Sequence, residues 1–192
     1  QQQDAIKYHQ LFADIIIHTL REMWFNDRSE QLVNQLSYEV SHDSLTGLQN
    51  RSCLSDTLES ITQQSVTPFT LALLDINSFK AINDIHGNYI GDKVLQRVAK
   101  EILNQINDVD FAVRFGGEEF LVVLVNKSID AAKDIAENIR QGISKLKLVQ
   151  KQSAKTLPPI TVSIGISTYD TNEDFMDMFN RADDALYHAK NT

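Results

Sequence analysis

RFGGEEFLVV, residues 114–123, sets two glycines and then two adjacent carboxylates ahead of an apolar run. Gly116-Gly117 between strand-like segments reads as a tight hairpin turn, because glycine accepts the positive φ that such turns use. The arms of the hairpin are then residues 111–115 and 120–125. Glu118 and Glu119 are the anomaly. Strands are usually poor in Glu, and two like charges side by side repel unless something positive lies near.

Working outward, residues 68–75 (PFTLALLD) are an apolar run suited to a buried strand. Residues 91–106 carry Val94, Leu95, Val98, Ile102 and Ile106 at helical spacing, and residues 129–146 do the same with Ile135, Ile139 and Ile143. Residues 151–159 read as a polar loop before the strand 160–167 (ITVSIGIS). Thr171 or Asn172 can cap a last helix that ends near Lys190. From about residue 41 the order is helix, strand, helix, hairpin, helix, strand, helix. That predicts an α+β domain over residues 41–192, with one mainly antiparallel central sheet flanked by helices.

Residues 1–40 contain neither Gly nor Pro. Leu11, Ile15, Ile16, Leu20, Met23 and Trp24 recur at helical spacing, as do Leu32, Leu36 and Val40. One or two amphipathic helices are expected, with Asn26-Asp27 as the place for a break. Such a helix packs on its own domain or pairs with a copy of itself; the stripe runs straight into the domain, which favours a connector and dimerisation segment. The abrupt QQQ start looks like a cut from something longer.

The chain has 192 residues, enough for one well-buried domain plus an extension. A net charge of -8 argues against a nucleic-acid polymer as partner. It leaves room for a small phosphate ligand held by local lysines or a metal. Cys53 is the only cysteine, so neither an internal disulfide nor a thiolate metal cage is available, and a cytoplasmic compartment fits. The apolar triplet at residues 15–17 is too short to cross a bilayer.

If the strand ending at Asp75 neighbours the second hairpin arm, Asp75 meets one of the two glutamates at a sheet edge. Side chains alternate along a strand, so only one of Glu118 and Glu119 can join it if the strand is regular. Converging carboxylates beside phosphate are a usual Mg²⁺ arrangement, and a pair of surface charges near a turn is the competing reading. The next residues, DINSFKAINDIHGNYIGDKVL, add Lys80 for phosphate charge and Asn77 and Ser78, whose N–H groups can wrap phosphate oxygens. Asn83 and Asp92 complement a base edge: a carboxylate matches the adjacent N1–H and 2-amino donors of guanine, and adenine lacks that pair. Asp92 can equally serve as a helix cap.

GGEEF at residues 116–120 resembles the signature of the GGDEF domain, the diguanylate cyclase family. HDSLTGLQNR at 42–51, DINSFKAIND at 75–84 and RADDALYHAK at 181–190 match the same family in the same order. The resemblance implies a palm-like nucleotide-cyclase fold and the joining of two GTP into cyclic di-GMP with loss of two pyrophosphates. It implies Asp75, Glu118 and the Ile76 carbonyl as ligands of two Mg²⁺, for which Mn²⁺ can stand in. Glu118 would also be the candidate base for the ribose 3′-OH. Phe79, Lys80 and Lys190 would serve the phosphates, and Asn83 and Asp92 would read guanine. Gly116, Gly117, Glu119 and Arg114 would be supporting residues, with Glu119 bracing the loop or a basic group such as Arg114. Each domain would bind one GTP, so a homodimer is part of the mechanism. An upstream sensor would complete the protein, with this as its cytoplasmic domain and the whole tethered to a membrane or free.

The sequence departs from the family in four places. Asn77 stands where Asp is usual, and Asn88 where a His near the nucleotide is usual. The RxxD motif of the product-inhibition site is reduced to Asn107 and Asp110, without its Arg. The chain stops at Thr192, where a Gly-Arg-Asn stretch often follows. Weak or absent feedback inhibition is therefore expected. Three alternatives to the cyclase are a degenerate receptor for GTP or cyclic di-GMP, an enzyme making a mixed purine product, and a structural dimerisation module.

Overall fold

The computed structural model describes residues 2–54, 57–59, 68–150, 155–170 and 173–191; the side chains of residues 2–17, 34, 149–150 and 155–156 are outside it. The chain divides into two units, Gln1–Val40 and Ser41–Thr192.

The first unit is helix α1 (Gln2–Ser41), which runs without interruption. The expected break at Asn26-Asp27 does not occur. Asn and Asp each cost less than about 1 kcal/mol inside a helix, and Gln31 Nε2 donates to Asp27 Oδ2 at 3.2 Å across one turn. The side chains of Leu11, Ile15 and Ile16 lie outside the described residues. Leu20, Met23, Trp24, Leu32, Leu36 and Val40 are exposed, together with Phe25 and Val33. Among the described residues no helix is long and apolar enough to cross a membrane.

The second unit is built on a five-stranded sheet. In chain order its elements are β1 (Gln49–Asn50), β2 (Phe69–Ile76), α2 (Phe79–His86), α3 (Asn88–Gln105), β3 (Phe111–Arg114), β4 (Glu119–Val125) and α4 (Ile129–Ser144). They are followed by β5 (Val149–Gln150), β6 (Lys155–Thr156), β7 (Val162–Thr168) and α5 (Phe175–Lys190). The strand order is β1-β3-β4-β2-β7, antiparallel throughout except for the short parallel pair β1-β3. β5 and β6 form a separate two-stranded ribbon. Both that ribbon and β1 fall where the sequence shows no strand pattern, because two residues are too few for alternation to register.

β2 is buried at every position, which its unbroken apolar run requires of a strand covered on both faces. On one face Ala72, Leu74, Phe120 and Val122 pack with Val94, Val98 and Ile102 of α3 and Ile139 of α4. On the other, Leu71, Leu73, Leu121 and Val123 pack with Met178, Ala182 and Leu186 of α5. Burying one such Leu or Phe is worth about 1.5–3 kcal/mol, against about 0–1 for a surface ion pair, so these two cores fix the helices that carry the site.

Element ends move by small steps from the sequence reading. The residue 91–106 helix starts earlier, at Asn88, after Gly87 turns the chain with φ 82°. The last helix is capped by Asp174, whose side chain accepts from Asp177 N; Thr171 and Asn172 lie outside the described residues.

Candidate active site

β2 and β4 are in register from Phe69↔Val125 to Asp75↔Glu119. Glu119, not Glu118, is therefore the cross-strand partner of Asp75. Glu118 precedes the strand, and its carbonyl accepts from Ile76 N at 3.3 Å. The two glutamates have different surroundings, Glu118 lining a cleft and Glu119 against Gly116. Glu119 folds back against Gly116, whose missing Cβ leaves the room: a methyl there would overlap Glu119 Oε2 and stand 3.4 Å from its Cβ. Positive φ among the described glycines is confined to Gly47 and Gly87. Gly116 thus serves by its size, and the left-handed turn expected of Gly116-Gly117 is not the reason for the pair.

Glu118 lines a cleft of about 450 Å³ with Phe79, Lys80, Asn83, Asn88, Asp92, Leu95, Arg114 and Gly117. α2 and α3 supply one wall and the β3-β4 turn the other. Two larger hollows, of about 650 and 500 Å³, lie elsewhere on the sheet and hold none of Lys80, Asp92 or Glu118. Asp92 does not cap α3: Gly87 holds the cap position, with no side-chain bond. Ser78 starts α2 from the left-handed region at φ 56°, again without a side-chain cap. That conformation costs a non-glycine residue about 1–2 kcal/mol; as at any helix start, the first N–H groups of α2 lack intrahelical acceptors.

Asp75 is nearly fully buried. Lys190 Nζ, from the last turn of α5, meets its Oδ2 at 2.8 Å. Burial raises the Glu118 carboxyl above its ordinary value, and the Asp75 charge raises it further, with a smaller push from Glu119; Lys190 pulls the other way. Two carboxylates thus sense each other at one end of the central strands, with an ammonium lodged on one of them. Among the described residues no three His, Cys, Asp or Glu side chains gather as a metal cage. Asp75 and Glu118 nevertheless lie near enough to feel each other's charge, and carboxylate oxygens are the donors Mg²⁺ takes when water and substrate phosphate complete its shell.

Arg114 is not the partner of Glu119. Its Nη1 donates to Asp43 Oδ1 and Oδ2 at 3.1 and 3.0 Å, and its Nη2 to the Gly117 carbonyl at 2.9 Å. Asp43 Oδ1 also accepts from Thr46 N and Oγ1 at 2.8 and 2.6 Å. Burial works to raise the Asp43 carboxyl, but the bonds from Thr46 and Arg114 outweigh it and hold it below its ordinary value. Asp43 is the residue that sequence reasoning missed; it lies in HDSLTG, a stretch that drew notice but no role. Arg51 adds a cation over the Phe115 ring at 4.5 Å on the same turn. Asn77 turns to β7, donating to Thr161 Oγ1 at 3.1 Å and accepting from Ser163 Oγ at 2.9 Å. Its lost charge faces that strand.

Asn107 and Asp110 are not in the cleft. The Asp110 side chain is wholly enclosed: Oδ1 accepts from Val125 N at 2.9 Å and Oδ2 from Asn107 N at 3.1 Å, with Lys127 Nζ 3.6 Å away.

A family model described as diguanylate cyclase, GGDEF domain, matches residues 40–192. The chain belongs to the GGDEF family. DgcM, a diguanylate cyclase of Escherichia coli K12, is 36% identical over 179 residues, covering 92% of this chain and 41% of DgcM. DgcP of Pseudomonas aeruginosa PAO1, also a diguanylate cyclase, is 41% identical over 151 residues, covering 77% of this chain and 22% of DgcP. The chain thus spans well under half the length of these relatives. The crystal structure of the coiled coil and GGDEF domain of DgcB from Caulobacter crescentus, in complex with c-di-GMP, superposes with a TM-score of 0.85 at 29% identity, covering 92% of this chain and 94% of that one. Diguanylate cyclase SiaD of Pseudomonas aeruginosa, in complex with its activator SiaC, gives a TM-score of 0.74 at 27% identity over 99% of this chain and 75% of that one. The palm-like reading of the fold agrees with these GGDEF neighbours.

Proposed function

We propose that this GGDEF domain is a diguanylate cyclase that joins two GTP into cyclic di-GMP, one GTP per domain of a symmetric dimer. The observation that carries this reading is the cleft lined by Lys80, Asn83, Asp92 and Glu118, with Asp75 near enough to act on the Glu118 charge. It offers a positive group for phosphate, an amide and a carboxylate for a base edge, and an oxygen set for Mg²⁺. Two Mg²⁺ bound there would supply the charge that activates the 3′-oxygen and neutralises the leaving pyrophosphate.

The chain's own groups divide the remaining work. Asp92 would accept from the N1–H and 2-amino of guanine, and Asn83 would complete the base edge. Lys80 would meet the phosphates, with Phe79 beneath. Lys190 would leave Asp75 when a cation takes its place and turn to the phosphates, so the ammonium neutralises the site empty and the substrate when full. Glu118, lining the cleft, would be the candidate base for the 3′-hydroxyl proton. In-line attack by that oxygen on the α-phosphorus of the other GTP forms the 3′-5′ bond and expels pyrophosphate; the reciprocal step closes the ring. A two-fold axis supplies both attacks, since each site then faces a copy of itself.

Residues 1–40 would serve as connector and dimerisation segment, and residues 41–192 as the catalytic unit. Feedback through the RxxD position would be weak or absent. The arginine is missing, and Asp110 already spends both oxygens on Val125, Asn107 and Lys127. Incubation with GTP and Mg²⁺, products resolved by chromatography, tests the reading. Cyclic di-GMP is expected, and Asp75→Asn should abolish it. Equal product from Asp75→Asn would overturn the assignment of the site.

A further inference from the structure

We infer that Gly91 is a specificity-positioning residue: its missing side chain is the space in which Asn83 lies when it faces the base. This rests on the guanine-cleft reading above and deepens it.

Gly91 is buried in the second turn of α3 and has ordinary helical geometry. Nothing about its backbone calls for glycine. By propensity alone the helix would gain from alanine here, since glycine is the poorer helix former of the two. The compensation is steric. A Cβ built on Gly91 would overlap Asn83 Oδ1 outright, and would stand 3.0 Å from Asn83 Cγ and 3.2 Å from Phe79 Cζ. The amide of Asn83 therefore crosses from α2 onto the bare backbone of α3, one residue before Asp92, and both side chains line the same cleft. A methyl group at residue 91 would swing the Asn83 amide out of that position, because a side-chain end yields more cheaply than two packed helices. The chain holds a poor helix former at this position, and what it gains is the placement of one amide.

The consequence separates recognition from stability. Gly91→Ala should leave the melting temperature unchanged or higher while weakening GTP binding. Loss of a neutral hydrogen-bonding pair corresponds to roughly five- to tenfold in Kd. The test is a double-mutant cycle on the whole chain, measuring GTP binding by titration calorimetry and thermal unfolding for wild type, Gly91→Ala, Asn83→Ala and the double variant. Asn83→Ala should weaken GTP, Gly91→Ala should weaken it comparably, and the double variant should be no worse than Asn83→Ala alone. Were Gly91→Ala to cost the same factor with and without the Asn83 amide, Gly91 would act through the helix and the inference would fail. It would fail too if Gly91→Ala bound GTP as wild type while Asn83→Ala did not. If Asn83→Ala itself bound GTP unchanged, the guanine-reading role of Asn83 would fall, and this inference with it.

Discussion

At the residue scale, two neighbouring glutamates have different surroundings, Glu118 just before β4 and Glu119 at its first position. Glu118 shares a field with Asp75, and Glu119 rests on Gly116. If Glu118 acts as proposed, Glu118→Gln should lower turnover by about a hundred- to a thousandfold, the scale of losing one group that stabilises charge in the transition state. Glu119→Gln should retain measurable product; equal loss in the two would erase the distinction. Glu118 also carries a pH signature. Its carboxyl is raised in the folded chain, so its contribution to stability is full below the unfolded value, near the ordinary carboxylate range, and is lost as pH rises through the higher folded value. In the metal-free protein Glu118→Gln should then raise the melting temperature at neutral pH, with the gain shrinking as the solution is acidified. A gain that grew on acidification would show the opposite sign.

At the scale of elements, the β3-β4 turn is held from outside itself. Asp43 precedes β1 by six residues, yet it anchors Arg114 and, through Arg114, the Gly117 carbonyl. Replacing Asp43 by Ala leaves the partly buried guanidinium without its carboxylate and frees Thr46, a loss on the order of 2 kcal/mol. Denaturant unfolding should show it. Asp43 sits below its ordinary value, so its contribution is present above the unfolded pKa and disappears as pH falls through the folded one. The wild-type and Asp43→Ala curves should therefore converge in acid. Buried Asp110 makes a parallel case: Asp110→Ala should destabilise the fold by about 1–3 kcal/mol, leaving the Val125 and Asn107 amides unpaired. It should relieve no inhibition by product, whereas sub-micromolar inhibition abolished by that change would contradict the proposal. The long elements were legible in the sequence because β2, α3 and α4 are long enough for a period to show. β1 and the β5-β6 ribbon were not, since two residues carry no period. The Asp43-Arg114 bond joins residues 71 positions apart, and no local pattern encodes such a distance. The same limit hid the seat of Asn83 on Gly91: the glycine was visible, but the crossing of two helices was not.

At the scale of the whole molecule, the proposed reaction joins two GTP, one per cleft, and so requires two chains. The exposed Leu20, Met23, Trp24, Leu32 and Leu36 of α1 are apolar surface that a second copy would bury. Removing residues 1–40 should weaken self-association by at least tenfold in sedimentation, since several large side chains lose their partner at about 25 cal/mol per Å². Unchanged association would assign dimerisation elsewhere. The central claim, that two facing sites condense two GTP, is tested most directly by the dependence of rate on protein concentration. Cyclic di-GMP formed from GTP and Mg²⁺ should rise more steeply than linearly with dilute protein, turn linear once dimers saturate, and vanish with Glu118→Gln. A rate strictly proportional to protein at every dilution below the dimer dissociation constant, or product made equally well without Glu118, would contradict it.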